Sequence, residues 1–231
     1  SIGVIGETSV AWTLEKDNIQ IERFKREAKF LDTWSEELWI SHQEALLGLY
    51  DQYFQGTSRY FSADGGKWPP LGLHCSSNDN EHFIATVGLS QLPMPSFGMQ
   101  YNDDVIEDHR RIELAIRVEN ISEIEALAQY LSGQATYPWY WGTHFDEGHT
   151  IPCAQLAEVG SGMSFMVFVE TATFIPDVST PKFDKNDTKM LFMVPIYESE
   201  QRFAEENTAG ELVGLLEKVE SPFDVKRKCV V

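Results

Sequence analysis

Between Arg111 and Val118 the chain alternates cleanly. Ile112, Leu114, Ile116 and Val118 take one face, and Arg111, Glu113 and Arg117 take the other. A two-residue period does not fit a helix, so the stretch is committed to a β-strand. Charges at every second apolar position predict one face on the core and one in water, and that favours antiparallel neighbours. Phe83 to Leu89 reads as a second strand, stopped by Pro93 and Pro95. Met163 to Val169 and Met190 to Tyr197 are two more, the latter entered through a turn at Asp184-Lys185-Asn186-Asp187. Leu71 to Cys75 is a short one.

Helices punctuate these strands. Leu38, Trp39, His42, Leu46, Leu49, Tyr50 and Tyr53 recur at three- and four-residue steps, with Thr33 and Glu36 at capping-box spacing and Gly56 at the end. Ser122 and Glu125 predict a cap for a short helix carrying Ile124, Leu127, Ala128 and Leu131, which Gly133 would stop. Thr208 and Glu211 cap a last helix with Leu212, Leu215, Leu216 and Val219. Ile19, Ile21, Phe24, Ala28 and Leu31 make residues 1–32 a partly helical extension. Residues 221–231, with Lys226, Arg227 and Lys228, read as a disordered basic tail. The order is helix, strands, helix, strands, helix, without strict βαβ alternation. It predicts a single α+β domain over 33–220, with a central mixed, largely antiparallel sheet and helices packed on its faces.

Charge narrows the function. Thirty-six acidic residues against 18 basic ones leave a net charge of -18. That surface repels nucleic-acid phosphates and anionic membranes, and it suits a basic protein partner. The three cysteines, 75, 153 and 229, form neither a disulfide framework nor a Cys-x-x-Cys pair. They fit a reducing cytoplasm. No signal peptide or membrane-spanning run is expected.

Three motifs fall short of chemistry. Asp64-Gly65-Gly66-Lys67-Trp68 lacks the first glycine of a phosphate loop and the hydroxyl that would hold Mg²⁺. Gly88-Leu89-Ser90-Gln91-Leu92 follows a strand as a nucleophile elbow would, but Leu92 stands where the second glycine belongs. Cys229 is third from the end, where a prenyl box needs it fourth. The densest polar cluster runs from Thr143 to Cys153. Its His144, Asp146, His149 and Cys153 are candidate ligands for a divalent metal, and so for a metal-assisted hydrolase. The plainer reading is a structured loop in which Gly148 supplies an unusual backbone angle and His149 bonds to main chain. Beside Trp139 and Trp141, such a loop is a natural contact surface, either for a partner or for an oligomeric scaffold.

Four blocks in order resemble the Suppressor of fused family in its bacterial single-domain form. They are His82 to Leu92 with its Gly-Leu-Ser-x-Leu ending, Arg111 to Arg117 with Glu113-Leu114, Leu127 to Pro152 with Gly148-His149, and Met190 to Tyr197 with Glu198 and Glu200. The match spans about residues 35–219, without the second domain of animal members. The resemblance implies a protein-binding domain rather than an enzyme, with no cofactor or metal. Bacterial relatives look like immunity proteins, so the expected partner is a basic toxin whose active face is occupied, bound by a monomer or weak dimer. The expected protein-binding residues are Phe83, Glu113, Asp146, Glu147 and His149. Glu113 would be a charged contact on the strand face and Phe83 an anchor beside it. An exposed strand edge could also take up a peptide.

Overall fold

The computed structural model describes residues 2–5, 8–11, 35–63, 71–94, 111–141, 143–183 and 185–231. Two short strands, β1 (Ile2–Ile5) and β2 (Thr8–Ala11), pair antiparallel on their own. The helical stripe expected from Ile19 to Leu31 lies outside the described residues. So do the Asp64 to Pro70 segment and Pro95.

The main sheet has seven strands: β3 (Thr57–Ser62), β4 (Gly72–Ser77), β5 (Glu81–Val87), β6 (Arg111–Glu119), β7 (Thr150–Pro152), β8 (Phe165–Val169) and β9 (Thr188–Ile196). They lie in the order β3-β4-β5-β6-β9-β8-β7. Every pairing is antiparallel except β6 with β9. The sheet is thus mixed and largely antiparallel, in an α+β fold.

Helices cover both faces. On one, α1 (Glu36–Tyr53) lays Trp39, Leu46 and Tyr50 over Phe83, Ala85 and Phe192, joined by Leu212 and Leu216 of α5 (Ala209–Leu216). On the other, α2 (Glu125–Trp141) sets Leu127 and Leu131 against Ile84, Ile112, Leu114 and Ile116. The one-turn α3 (Gln155–Glu158) adds Leu156 there. The face of β6 expected in water is therefore a second core face. Glu113 is completely buried and Arg111 nearly so. The alternation was real, but charge did not mean solvent.

Two helix boundaries also differ from expectation. Ser35, not Thr33, caps α1, its hydroxyl accepting from Leu38 N at 3.1 Å. The second helix runs through Gly133 and Pro138 to Trp141. Leu131, Ala135 and Pro138 fall at steps of four and three on its buried side. That burial outweighs the roughly 1 kcal/mol a helical glycine costs. The Thr208 cap on α5 forms as expected, accepting from Glu211 N at 3.1 Å.

The basic tail is part of the folded body. Phe223, Val225 and Arg227 are buried. Arg227 forks onto Glu200 of α4 (Glu198–Glu206), at 2.6 Å and 2.8 Å, and also donates to Pro195 O at 3.1 Å. Burial would raise the Glu200 carboxyl. The Arg227 bonds, with those from Tyr197 N and Val230 N, hold it below its usual value instead. Tyr197 Oη closes the latch on Arg227 O at 2.6 Å.

Arg227→Ala would strand Glu200 without its cation. Denaturant unfolding should show a loss of about 3–5 kcal/mol, and Arg227→Lys should recover part of it. A change under about 1 kcal/mol would mean the tail adds nothing to the fold.

Candidate functional site

Two polar clusters stand out, one buried and one exposed. The buried one is centred on Glu113. As β5 ends, Gly88 turns the chain with φ +104°, and a Cβ there would lie 2.6 Å from the Trp39 ring. Only glycine fits that turn. It aims three backbone amides at the Glu113 carboxylate: Gly88 N at 3.1 Å, Leu89 N at 3.3 Å and Ser90 N at 3.0 Å. The Thr86 and Ser90 hydroxyls donate to the same carboxylate at 2.5 Å and 2.6 Å. Arg111, two residues back on the same face, donates to the carbonyls of Ser90 and Gln91 at 2.7 Å and 2.6 Å. His42 Nε2 lies 2.8 Å from Ser90 Oγ.

Serine, histidine and carboxylate thus meet, but not as a hydrolase. Ser90 Oγ donates its hydrogen bond to Glu113, and Ser90 is fully buried. No substrate carbonyl could reach it. Burial pushes the Glu113 carboxyl up to about 7 despite its five donors. Burial likewise lowers His42 to about 4, so it is neutral near neutral pH. The cluster fixes the Gly-Leu-Ser turn between sheet and α1.

Glu113 and Phe83 are therefore not surface contacts. Phe83 stacks on Phe54 with ring centroids 3.4 Å apart and packs edge-on to Tyr50 at 5.6 Å. Thr86, Ser90 and Arg111 complete the cluster and were not expected in it. The available signal was a glutamate recurring in phase with Arg111 on an otherwise apolar strand.

The exposed cluster lies at the other end of the sheet, three strand spacings from β6, or about 14 Å. Phe145 anchors it. Its buried ring stacks on Phe168 at 4.7 Å and on Tyr137 at 5.9 Å. Gly148, at φ +83°, donates to Phe168 O at 2.8 Å, and Phe168 N returns a bond to His149 O at 2.9 Å. The unusual glycine angle is as expected, and the His149 main-chain bonds come from its backbone, which also donates to Asp146 O at 3.2 Å. Asp146 is half-buried and accepts from Glu147 N at 2.9 Å. Glu147 and His149 are exposed. Tyr137 and Trp141, 40% and 62% exposed, continue the surface onto α2.

Among the described residues, this loop does not assemble the expected metal site. The His144 and His149 rings are 5.3 Å apart, but Cys153 is fully buried and burial pushes its thiol up to about 11. Among the described residues, no three His, Cys, Asp or Glu side chains converge to hold an ion. What the loop offers is two carboxylates, an imidazole and aromatic surface.

A seven-stranded mixed sheet, helix-covered on both faces and pinned by a buried carboxylate turn, defines an α+β domain. The family model for the Suppressor of fused protein matches residues 67–228, into the latched tail. The chain belongs to the Suppressor of fused family, a family of protein-interaction domains. No protein of curated function matches the sequence. The fold is similar to the crystal structure of a Suppressor of fused homologue from Neisseria gonorrhoeae (TM-score 0.59, 14% identity, covering 83% of this chain and 98% of that one). It is also similar to Suppressor of fused in its complex with Fu (TM-score 0.56, 14% identity, 82% and 92% covered). The third likeness, to Drosophila Suppressor of Fused, has TM-score 0.56 and 14% identity over 81% of this chain, which spans half of that protein.

Glu113 carries a pH signature. Its native pKa stands above its unfolded value of 4.5. The native state therefore holds the proton more tightly, and this stabilisation is complete below 4.5 and lost as pH rises through 7. The stability of the wild type relative to Glu113→Gln should fall by about 2–3 kcal/mol between those limits, measured by urea unfolding at stepped pH. A difference flat in pH would show that the carboxyl does not titrate there.

Proposed function

We propose that this chain binds a basic protein through the loop from Phe145 to His149, and that its partner is a toxin whose active face it covers, so that it serves as an immunity protein. The observation that carries the reading is the exposed acidic loop on a chain of net charge -18. Family membership makes protein binding the expected activity, and the complex of a structural neighbour with Fu is an instance in that protein. Many toxins that cut nucleic acid carry basic phosphate-binding faces. A strongly acidic domain would be steered onto such a face and would compete with the substrate's phosphates. The loop is held from beneath by Phe145 and the Gly148 bonds, so little ordering is needed on binding. Three unpaired cysteines, two of them buried, fit a reducing cytoplasm. The hydrolase reading finds no support in the geometry.

Partner capture on the immobilised chain, with elution by rising salt, tests this. A basic protein should be released in near-equal amount, and its own activity should be blocked when the chain is added back. The double change Asp146→Lys, Glu147→Lys should weaken that complex at least tenfold, equivalent to about 1.4 kcal/mol, while the melting temperature holds. Unchanged affinity would remove the loop from the interface. An eluted protein whose activity is untouched would remove the immunity role.

A further inference from the structure

The opposite edge of the sheet is built differently. Strand β3 pairs with β4 over six consecutive positions, from Thr57↔Ser77 to Ser62↔Gly72, and all six residues are exposed. Among the described residues no strand covers its outer side. It has no proline, no carboxylate and no break in its register, the usual devices that blunt an edge. The sequence Thr57-Ser58-Arg59-Tyr60-Phe61-Ser62 carries a single charge, and it is positive. On a chain of -18 this edge presents no carboxylate to a second copy, and its one charge, Arg59, meets its like only in the register that sets it opposite itself.

Its two faces are distinct. Tyr60 and Ser58 face α1: Gln43 Nε2 donates to Tyr60 Oη at 2.9 Å, and Ser58 Oγ donates to Asp51 at 3.3 Å. The Tyr60 ring lies over Gly72, where any Cβ would collide with it. Thr57, Arg59 and Phe61 face the other way and line a groove of about 580 Å³ against α2, with Leu73 and Ala128 in its wall and Glu125 among its lining residues. Tyr60 and Phe61 are each nearly half exposed, one on either face.

We propose that β3 pairs antiparallel with β3 of a second copy, joining the two sheets across a two-fold axis at Tyr60. A two-fold normal to the sheet keeps each face continuous, so only residues of the same face can stand opposite one another. That leaves registers centred on a single residue. A centre at Arg59 sets two guanidinium groups against each other. A centre at Tyr60 sets Arg59 against Phe61 of the second copy, a cation beside an aromatic face. It also pairs Ser58 with Ser62 and Tyr60 with its own mate, and no like charges stand opposite. The contact is one short strand wide, below the size of a stable interface, so the dimer is weak and concentration-dependent. It uses neither the Asp146 loop nor the toxin-binding reading.

Sedimentation velocity of the full chain across a wide concentration series should show monomer passing to dimer. Arg59→Glu combined with Phe61→Glu, which puts carboxylates on the edge, should weaken that association at least tenfold at unchanged melting temperature. For register, Tyr60→Cys in a Cys229→Ser background should form a disulfide-linked dimer on mild oxidation, and Arg59→Cys in the same background should form several-fold less. A chain that stays monomeric throughout overturns the proposal. So does a dimer indifferent to the double glutamate change, or equal cross-linking from both cysteines.

Discussion

The turn at Gly88 to Ser90 is held at both polarities by one strand. Glu113 takes its amides and Arg111 takes its carbonyls. A buried turn would otherwise leave several backbone groups without partners, each costing about 1–3 kcal/mol. Side chains two residues apart on β6 supply what a further strand would have supplied. His42 then ties Ser90 to α1, and Trp39 fills the space that the glycine leaves. The placement of α1 over the sheet, and with it the second core face, depends on this arrangement. An apolar residue at 113 would leave five donors facing hydrocarbon, which is why a carboxylate persists at a position where burial opposes it.

That logic explains where the sequence was readable and where it misled. Alternation located β6 within a residue, and apolar runs located β5, β8 and β9, because period and composition are local properties. The Thr208 cap and the Gly148 angle were legible for the same reason. Whether a strand face meets water depends on what packs there later in the fold. Glu113 looked like a solvent-facing charge because its partners come from Thr86 to Ser90, more than twenty residues away. Arg227 looked like part of a loose tail because Glu200 is 27 positions away. Strand β3 gave no signal: Thr-Ser-Arg-Tyr-Phe-Ser has no apolar period, and its pairing with β4 alone makes it a strand. Of the expected binding residues, Glu147 and His149 are exposed and Asp146 is half-buried, whereas Phe83 and Glu113 are buried, since a strand's alternation marks its face and not what covers that face.

The parallel pairing of β6 with β9 has a related cause. Chain leaving β6 crosses by α2 and returns through β7 and β8 before β9 comes alongside. Central strands covered on both faces are the setting in which parallel pairs are stable. Charged groups on such strands must then be answered internally. Arg117 does so differently from Arg111, pairing with Glu81 at 2.5 Å and lying 4.8 Å over the Phe223 ring. Through Phe223 the tail becomes part of that answer, so the C-terminal segment seals the end of the same charged face that Glu113 occupies in the middle.

The two edges of the sheet carry opposite chemistry, and their separation follows from the strand order. β7 is three residues long, ends in Pro152 and is preceded by a carboxylate-bearing loop. It is a poor template for further pairing and a good landing surface for cations. β3 is twice as long, unbroken and free of carboxylates. Five strands lie between them. A ligand at one edge therefore need not compete with a ligand at the other, and the rigid sheet, pinned at its centre by Glu113, fixes how far apart they stand. Long-range attraction of a basic protein acts over the whole acidic surface, but short-range pairing of backbone needs an edge that lacks repulsion. With these two requirements at opposite ends of the sheet, the proposed basic partner and the proposed second copy would not meet.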